Sequence, residues 1–232
     1  MSVVSTLRRD VQAIFKKDPA ARNLMEVLSY PGLHAVILHR VAHRLWNWRL
    51  KTLARVLSNF SRALTGIEIH PGATIGPGLF IDHGMGVVIG ETSVVGEDVL
   101  IYHGVTLGGK SLKKEKRHPT IGNRVTISPG AKVIGAITIG DDVKIGPNSV
   151  VRQNVPPRAT VVGIPGRVIY QDGAKADASM LDHGLACDPE GVMLHCMLER
   201  IQALERQVED LKSGVPVSLG DSWVERGEKS AC

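Results

Sequence analysis

The sequence predicts an α+β chain: a helical N-terminal domain over residues 1–66, a parallel β-helix over 67–170, and a C-terminal segment over 171–232 with a linker, one short helix and a tail. Three observations carry that reading. Aliphatic residues recur every six positions between Ile69 and Val151. Before Gly66 the apolar spacing is instead three and four, the period of a helix face. Glycine is abundant, at 25 of 232 residues, while aromatics make up only 4%. A core poor in rings is aliphatic, which disfavours a sandwich anchored on aromatics. With 43% apolar and 22% charged residues, the chain is globular rather than disordered.

In chain order, the helices come first. Asp18-Pro19 reads as a helix start, with Asp18 as N-cap and proline in the first turn. Pro31-Gly32 interrupts the run. A longer amphipathic stretch follows, carrying Val36, Ile37, Val41, Leu53, Val56 and Phe60, and Gly66 ends it.

From Ile69 the six-residue repeat runs in three blocks: Ile69 to Val87, Ile89 to Leu107, and Ile121 to Val151. All fourteen repeat positions are Ile, Val or Leu, and glycine follows many of them directly. Each unit is one short strand and one turn, and three units close a triangular coil of 18 residues whose aliphatic side chains fill the interior. One coil buries little, so stability comes from stacking neighbours about 4.8 Å apart. Two breaks in the period predict excursions from the coil. Two residues are added next to Asp82-His83, after Val87, and a longer loop from Gly108 to Thr120 carries Lys110, Lys113, Lys114, Lys116, Arg117 and His118. The Pro-rich Val155-Pro156-Pro157 and Gly163-Ile164-Pro165 end the repeat. Met197, Ile201, Leu204, Val208 and Leu211 then step by four and three, a short heptad seam on a helix from about 190 to 212.

Charge is uneven. Residues 1–62 hold 11 Lys/Arg against 3 acids, and residues 171–232 hold 6 against 12. No aromatic stacking positions are interleaved with the basic residues, so these are read as solvated helix faces and no nucleic-acid partner is expected. No apolar run approaches ~20 residues, and the first 17 residues lack an apolar signal core; a cytoplasmic protein without a membrane span is expected. Cys187, Cys196 and Cys232 have neither disulfide nor zinc spacing, and no bound metal is expected.

The chemistry-bearing residues gather at the breaks. His70, His83, His103 and His118 lie in or beside the repeats, and histidine alone leaves a metal site and a general base both open. Arg117 beside His118 is awkward for a metal and suits an anionic substrate, because its planar fork matches a carboxylate. His34, His39 and His43 fall on the helical segment and read as packing or surface residues.

Several runs together resemble the serine O-acetyltransferases. Glu68-Ile69-His70-Pro71 resembles the start of their β-helix. Asp82-His83-Gly84 followed by Gly90-Glu91-Thr92 resembles the family hallmark, and Arg117-His118-Pro119, Val155-Pro156-Pro157 and Gly163-Ile164-Pro165 also match. The resemblance covers about residues 10–170. It implies a left-handed coil and transfer of the acetyl group of acetyl-CoA to the L-serine hydroxyl. By resemblance, His83 is the general base, Glu68 orients it where many members have Asp, and His118 is a second active-site histidine. Asp18, Asp82 and Arg117 then bind the amino acid, while Gly108, Gly109, Lys110, Pro129, Gly130, Lys144 and Pro147 line the coenzyme A groove. L-cysteine is expected as a competitive inhibitor. The alternatives are a related acetyltransferase acting on a sugar or antibiotic, and a metal-dependent β-helix hydratase. A homotrimer is expected rather than a hexamer, since only 17 residues precede Asp18. The terminal Cys232, where many members carry isoleucine, predicts no tight complex with O-acetylserine sulfhydrylase.

Overall fold

A computed structural model describes residues 3–175, together with 197, 198, 200–202, 204–206 and 208. Residues Met1–Leu181 form one compact unit and Asp182–Cys232 a second. In the second, the described residues between 197 and 208 are helical, and Met197, Ile201, Leu204 and Val208 are exposed. Leu211, the predicted ends of this helix and the three cysteines lie outside the described residues.

The first unit begins with four helices: α1 (Val3–Lys17), α2 (Leu24–Leu28), α3 (Pro31–Asn47) and α4 (Lys51–Thr65). Two local readings are corrected here. Asp18 caps no helix. The N-cap of α2 is Asn23, whose side chain accepts the Glu26 N–H, and Asp18 sits in the preceding turn. The helical run is interrupted at Ser29–Tyr30, as the Pro31-Gly32 pair implied, and Pro31 itself starts α3, because a first-turn proline gives up an N–H that has no helical partner anyway. The long amphipathic stretch is two helices, divided at Trp48–Leu50, where Arg49 turns to φ 66°. Gly66 does end α4, in the left-handed conformation at φ 72°, which glycine adopts without steric cost.

Helix α4 presents its small side chains inward. Ala54, Ser58, Ser61 and Thr65 are buried, while Leu53, Val56, Phe60 and Leu64 are exposed. Small residues let the helix backbone approach the first coil, and the Ser58 hydroxyl donates to the Ile69 carbonyl at 2.8 Å. Apolar periodicity therefore identified the helix but not its buried face. A buried ion pair fixes α1. Asp10, 1% exposed, takes two bonds from Arg40 at 2.8 and 2.9 Å and one from the Gly78 N–H at 2.8 Å.

The repeats wind into a three-faced parallel coil. The first face stacks Glu68–Ile69, Val88–Ile89, Thr106–Gly108, Lys132–Ile134 and Val150–Val151. The second stacks Thr74–Ile75, Val94–Val95, Thr120–Ile121 and Thr138–Ile139. The third runs from Phe80–Asp82 through Leu100–Tyr102, Thr126–Ile127 and Lys144–Ile145 to Ala159–Val162. It ends in an antiparallel hairpin that covers the open edge. Of the fourteen repeat aliphatics, thirteen are buried and Ile75 is half-buried at the first coil. Burying one such side chain fully is worth about 1.5–3 kcal/mol, and the column repeats that gain at every level.

Register corrects the first break. Ile69 pairs with Ile89, not Val87, while Asp82 pairs with Tyr102. The two extra residues therefore lie before Val87, in the turn that carries His83.

Candidate active site

The site residues occupy two corners of the prism, one at each end of the first face. At the corner between the third and first faces, Asp82 ends its strand and His83 follows at φ 57°. The enlarged turn lifts His83 off the coil: its side chain is 75% exposed, with Nε2 3.9 Å from Asp82 Oδ1. Its ring meets His103, one coil on, edge to face at 6.2 Å. Backbone bonds stack this corner level by level. Gly104 N–H donates to the Met85 carbonyl, Gly130 N–H to His103 and Asn148 N–H to Pro129, at 2.8–2.9 Å. Pro129, Gly130 and Pro147 thus share one column with His83 and His103. Lys144 is exposed on the adjoining third face.

The helices bring Asp18 toward the same side. Its carboxylate accepts the Tyr30 hydroxyl and the Ala20 N–H. The bond to Asp18, then burial, then the charges of Asp18, Asp82 and Glu26 push the Tyr30 hydroxyl up to about 12. Tyr30, which packs 6.3 Å from the Phe80 ring, carried no motif, and nothing in the sequence singled it out. Glu68 lies on the first-face strand, and its carboxylate accepts from Arg62 at 3.2 Å. The chain pairs Glu68 with Arg62 and does not bond it to His83.

The corner between the first and second faces is built differently. The loop before Thr120 folds Arg117 and His118 back onto Glu91 and Thr92. Arg117 Nη2 meets Glu91 Oε2 at 2.6 Å. The backbone N–H groups of Arg117 and His118 donate to Thr92 Oγ1 at 3.0 and 3.1 Å. His118 is 8% exposed, and its ring fits only because residue 90 is glycine: a Cβ there would lie 2.1 Å from the ring carbon Cδ2. Burial first, then the Arg117 charge, lowers the His118 pKa below its usual value. Gly108 ends its strand and Gly109 lies beside His118, followed by exposed Lys110. Lys116 is tied into the loop, donating to the Thr92 and Pro119 carbonyls at 2.6 and 3.3 Å. His70, at this end of the first strand, is lowered to about 4 by burial, then Arg55. Its Nδ1 accepts the Gly72 N–H, and its ring packs against Trp46; it acts as structure. Glu91 and Thr92 stood in a recognised run without a role, and only the folded loop shows what they hold.

The structure therefore brings together Asp82 with His83, and Arg117 with His118. It does not bring the two pairs to one point. The first-face strand Val88–Ile89 and its flanking residues separate the corners, and four residue steps from Gly86 to Gly90 span about 13 Å when extended.

Known proteins resemble this chain in sequence and fold. Residues 118–153 match the family model for the bacterial transferase hexapeptide (six repeats). The serine acetyltransferase of Synechococcus elongatus is 56% identical over 89% of this chain and 84% of its own length. That of Staphylococcus aureus is 51% identical over 92% and 96%. This chain belongs to the serine acetyltransferase family. Among solved members, the Neisseria gonorrhoeae enzyme in complex with serine superposes with a TM-score of 0.70 at 43% identity, covering 72% of this chain and 69% of that one. The Brucella abortus enzyme in complex with coenzyme A gives 0.71 at 43% identity, covering 74% and 69%. A serine acetyltransferase in complex with cysteine gives 0.71 at 42%, covering 72% and 70%. The coil is the left-handed β-helix of these enzymes.

Proposed function

We infer that this chain is a serine O-acetyltransferase that moves the acetyl group of acetyl-CoA to the L-serine hydroxyl, giving O-acetyl-L-serine and CoA, a step that feeds cysteine synthesis. The observation that carries the reading is the pairing, within a member of this family, of an exposed imidazole among carboxylates at one corner with an Arg-His pair at the other. His83 takes the hydroxyl proton as the serine oxygen attacks the thioester carbonyl. The new C–O bond forms, the C–S bond breaks, and the proton passes to the departing sulfur. Arg117 clamps the serine carboxylate, Asp18 and Asp82 hold its ammonium, and His118 faces the developing oxyanion. Glu68 orients His83, exchanging Arg62 for the imidazole. Gly108, Gly109, Lys110, Pro129, Gly130, Lys144 and Pro147 line the path of pantetheine along the coil.

A site split between corners about 13 Å apart is completed by the opposite corner of a neighbouring subunit, and we assign a homotrimer. The exposed apolar face of α4 and the exposed Met197, Ile201, Leu204 and Val208 support burial in an assembly. Among the described residues no helix is long and apolar enough to cross a membrane, and we place the enzyme in the cytoplasm. L-cysteine shares the ammonium and carboxylate of serine, so the same three residues hold it as a competitive inhibitor.

The deciding experiment is thiol release from acetyl-CoA against serine, homoserine, a galactoside and chloramphenicol. Serine gives the highest kcat/KM; a higher value for the galactoside or chloramphenicol overturns the assignment. Light scattering near ~75 kDa, three times the 25.0 kDa chain, is expected of the active species. An active 25.0 kDa monomer contradicts the shared site.

A further inference from the structure

We propose that Thr92 is a positioning residue that fixes the tautomer of His118, so that Nε2–H is the donor offered to the reacting substrate oxygen. The inference rests on the role given to His118 above. Its grounds are the contacts that converge on one threonine. A hydroxyl has one hydrogen and two acceptor lone pairs. The N–H groups of Arg117 and His118 occupy both lone pairs of Thr92 Oγ1, at 3.0 and 3.1 Å. The remaining contact of Oγ1 is with His118 Nδ1, at 2.9 Å, so there the hydroxyl must donate. The Thr92 backbone N–H points at the same nitrogen from 3.2 Å. A ring nitrogen that accepts from two donors carries no proton of its own, and the neutral imidazole holds its single proton on Nε2.

That nitrogen lies where a donor is useful. A Cβ at Gly90 would sit 2.2 Å from Nε2 and one at Gly109 3.1 Å away, so two glycines keep this edge of the ring clear of side chains. Gly109 belongs to the stretch assigned to the cofactor. Glu91, the residue before Thr92, holds the Arg117 guanidinium. One dipeptide thus orients both the carboxylate clamp and the neighbouring donor. A purely structural threonine would tie down the 117–118 backbone equally well, but it would leave the tautomer open.

The experiment uses the full chain in its assembled form, labelled with 15N-histidine, with the His118 ring signals assigned by their loss in His118→Gln. Wild type and Thr92→Ser should show Nδ1 unprotonated and Nε2 protonated. Thr92→Val, which keeps only the longer amide bond, should populate both tautomers and lose roughly 10–100-fold in kcat, by analogy with the loss when the partner that orients a metal-ligating histidine is removed. Thr92→Ser should stay within about threefold of wild type. A wild-type signal with the proton on Nδ1 overturns the proposal without any variant, as does a Thr92→Val protein that retains the Nε2–H form alone. If Thr92→Val mixes the tautomers and kcat is unchanged, Thr92 is upheld as the tautomer lock and the donor role of His118 is what fails.

Discussion

The two corners of the first face hold their functional groups in opposite ways. Between the first and second faces, Arg117 is paired with Glu91, and His118 is buried and held by Thr92 through backbone and ring. Between the third and first faces, His83 stands 75% exposed on an enlarged turn, with Asp82 Oδ1 3.9 Å away. The first corner is organised within one chain, which lowers the reorganisation needed when charge develops. The second presents a reactive group to whatever docks against it. The contrast separates two proposed roles: loss of the exposed base, His83, should act on the chemical step, while loss of the tied Arg117 fork should act on serine binding.

The largest expected effect tests the exposed corner. His83→Ala should lose at least ~10²-fold in kcat, the scale of a positioned general base, with the acetyl-CoA KM little changed. Glu68→Gln should cost less, because it orients rather than transfers; steady-state kinetics that show equal losses would erase the distinction. At the tied corner, Arg117→Lys keeps the charge but loses the fork that matches a carboxylate. We expect the serine KM to rise about tenfold, the equivalent of one charge-assisted bond, with kcat held within a few-fold. A fall in kcat at constant KM would instead place Arg117 in the chemistry.

Acid should also weaken the tied side. Burial lowers His70 to about 4, and burial, then His43, lowers His39, packed under the first coil, to about 3. Both bind protons less readily folded than unfolded, where histidine titrates near ~6.5. Their stabilising effect is full above about pH 6.5 and is lost as pH falls through that value toward 4 and below. Thermal unfolding followed from pH 7.5 to 5 should show Tm falling with pH, and replacing His70 with Gln should flatten the slope. A slope identical to wild type would show that His70 is not among its sources. The smallest effect is expected from Tyr30→Phe, which removes the hydroxyl from Asp18. One hydrogen bond of about 1 kcal/mol corresponds to a roughly fivefold rise in serine KM, readable in the same assay.

The coil was legible in advance because its determinant is one-dimensional: a side chain every six residues must fill a narrow prism, so the aliphatic pattern and the architecture carry the same information. The placement of His83, Asp82, Arg117 and His118 at corners of the coil was legible because they lie in contiguous runs at breaks in that pattern. Three things were not. Asp18-Pro19 has the local chemistry of a helix start, yet Asp18 bonds Tyr30, a choice made by the packing of α2 and α3 against the third face. The apolar stripe of α4 faces outward because small residues fit closer to the coil, which periodicity does not encode. Glu91 and Thr92 reach the Arg-His pair across 26 residues of sequence, through a loop whose return path depends on the coil beneath it. Spacing along the chain determined what repeats. Contacts between levels of the coil, and between helix and coil, decided which polar groups meet, because those partners are distant in sequence and only the closed prism sets their separation.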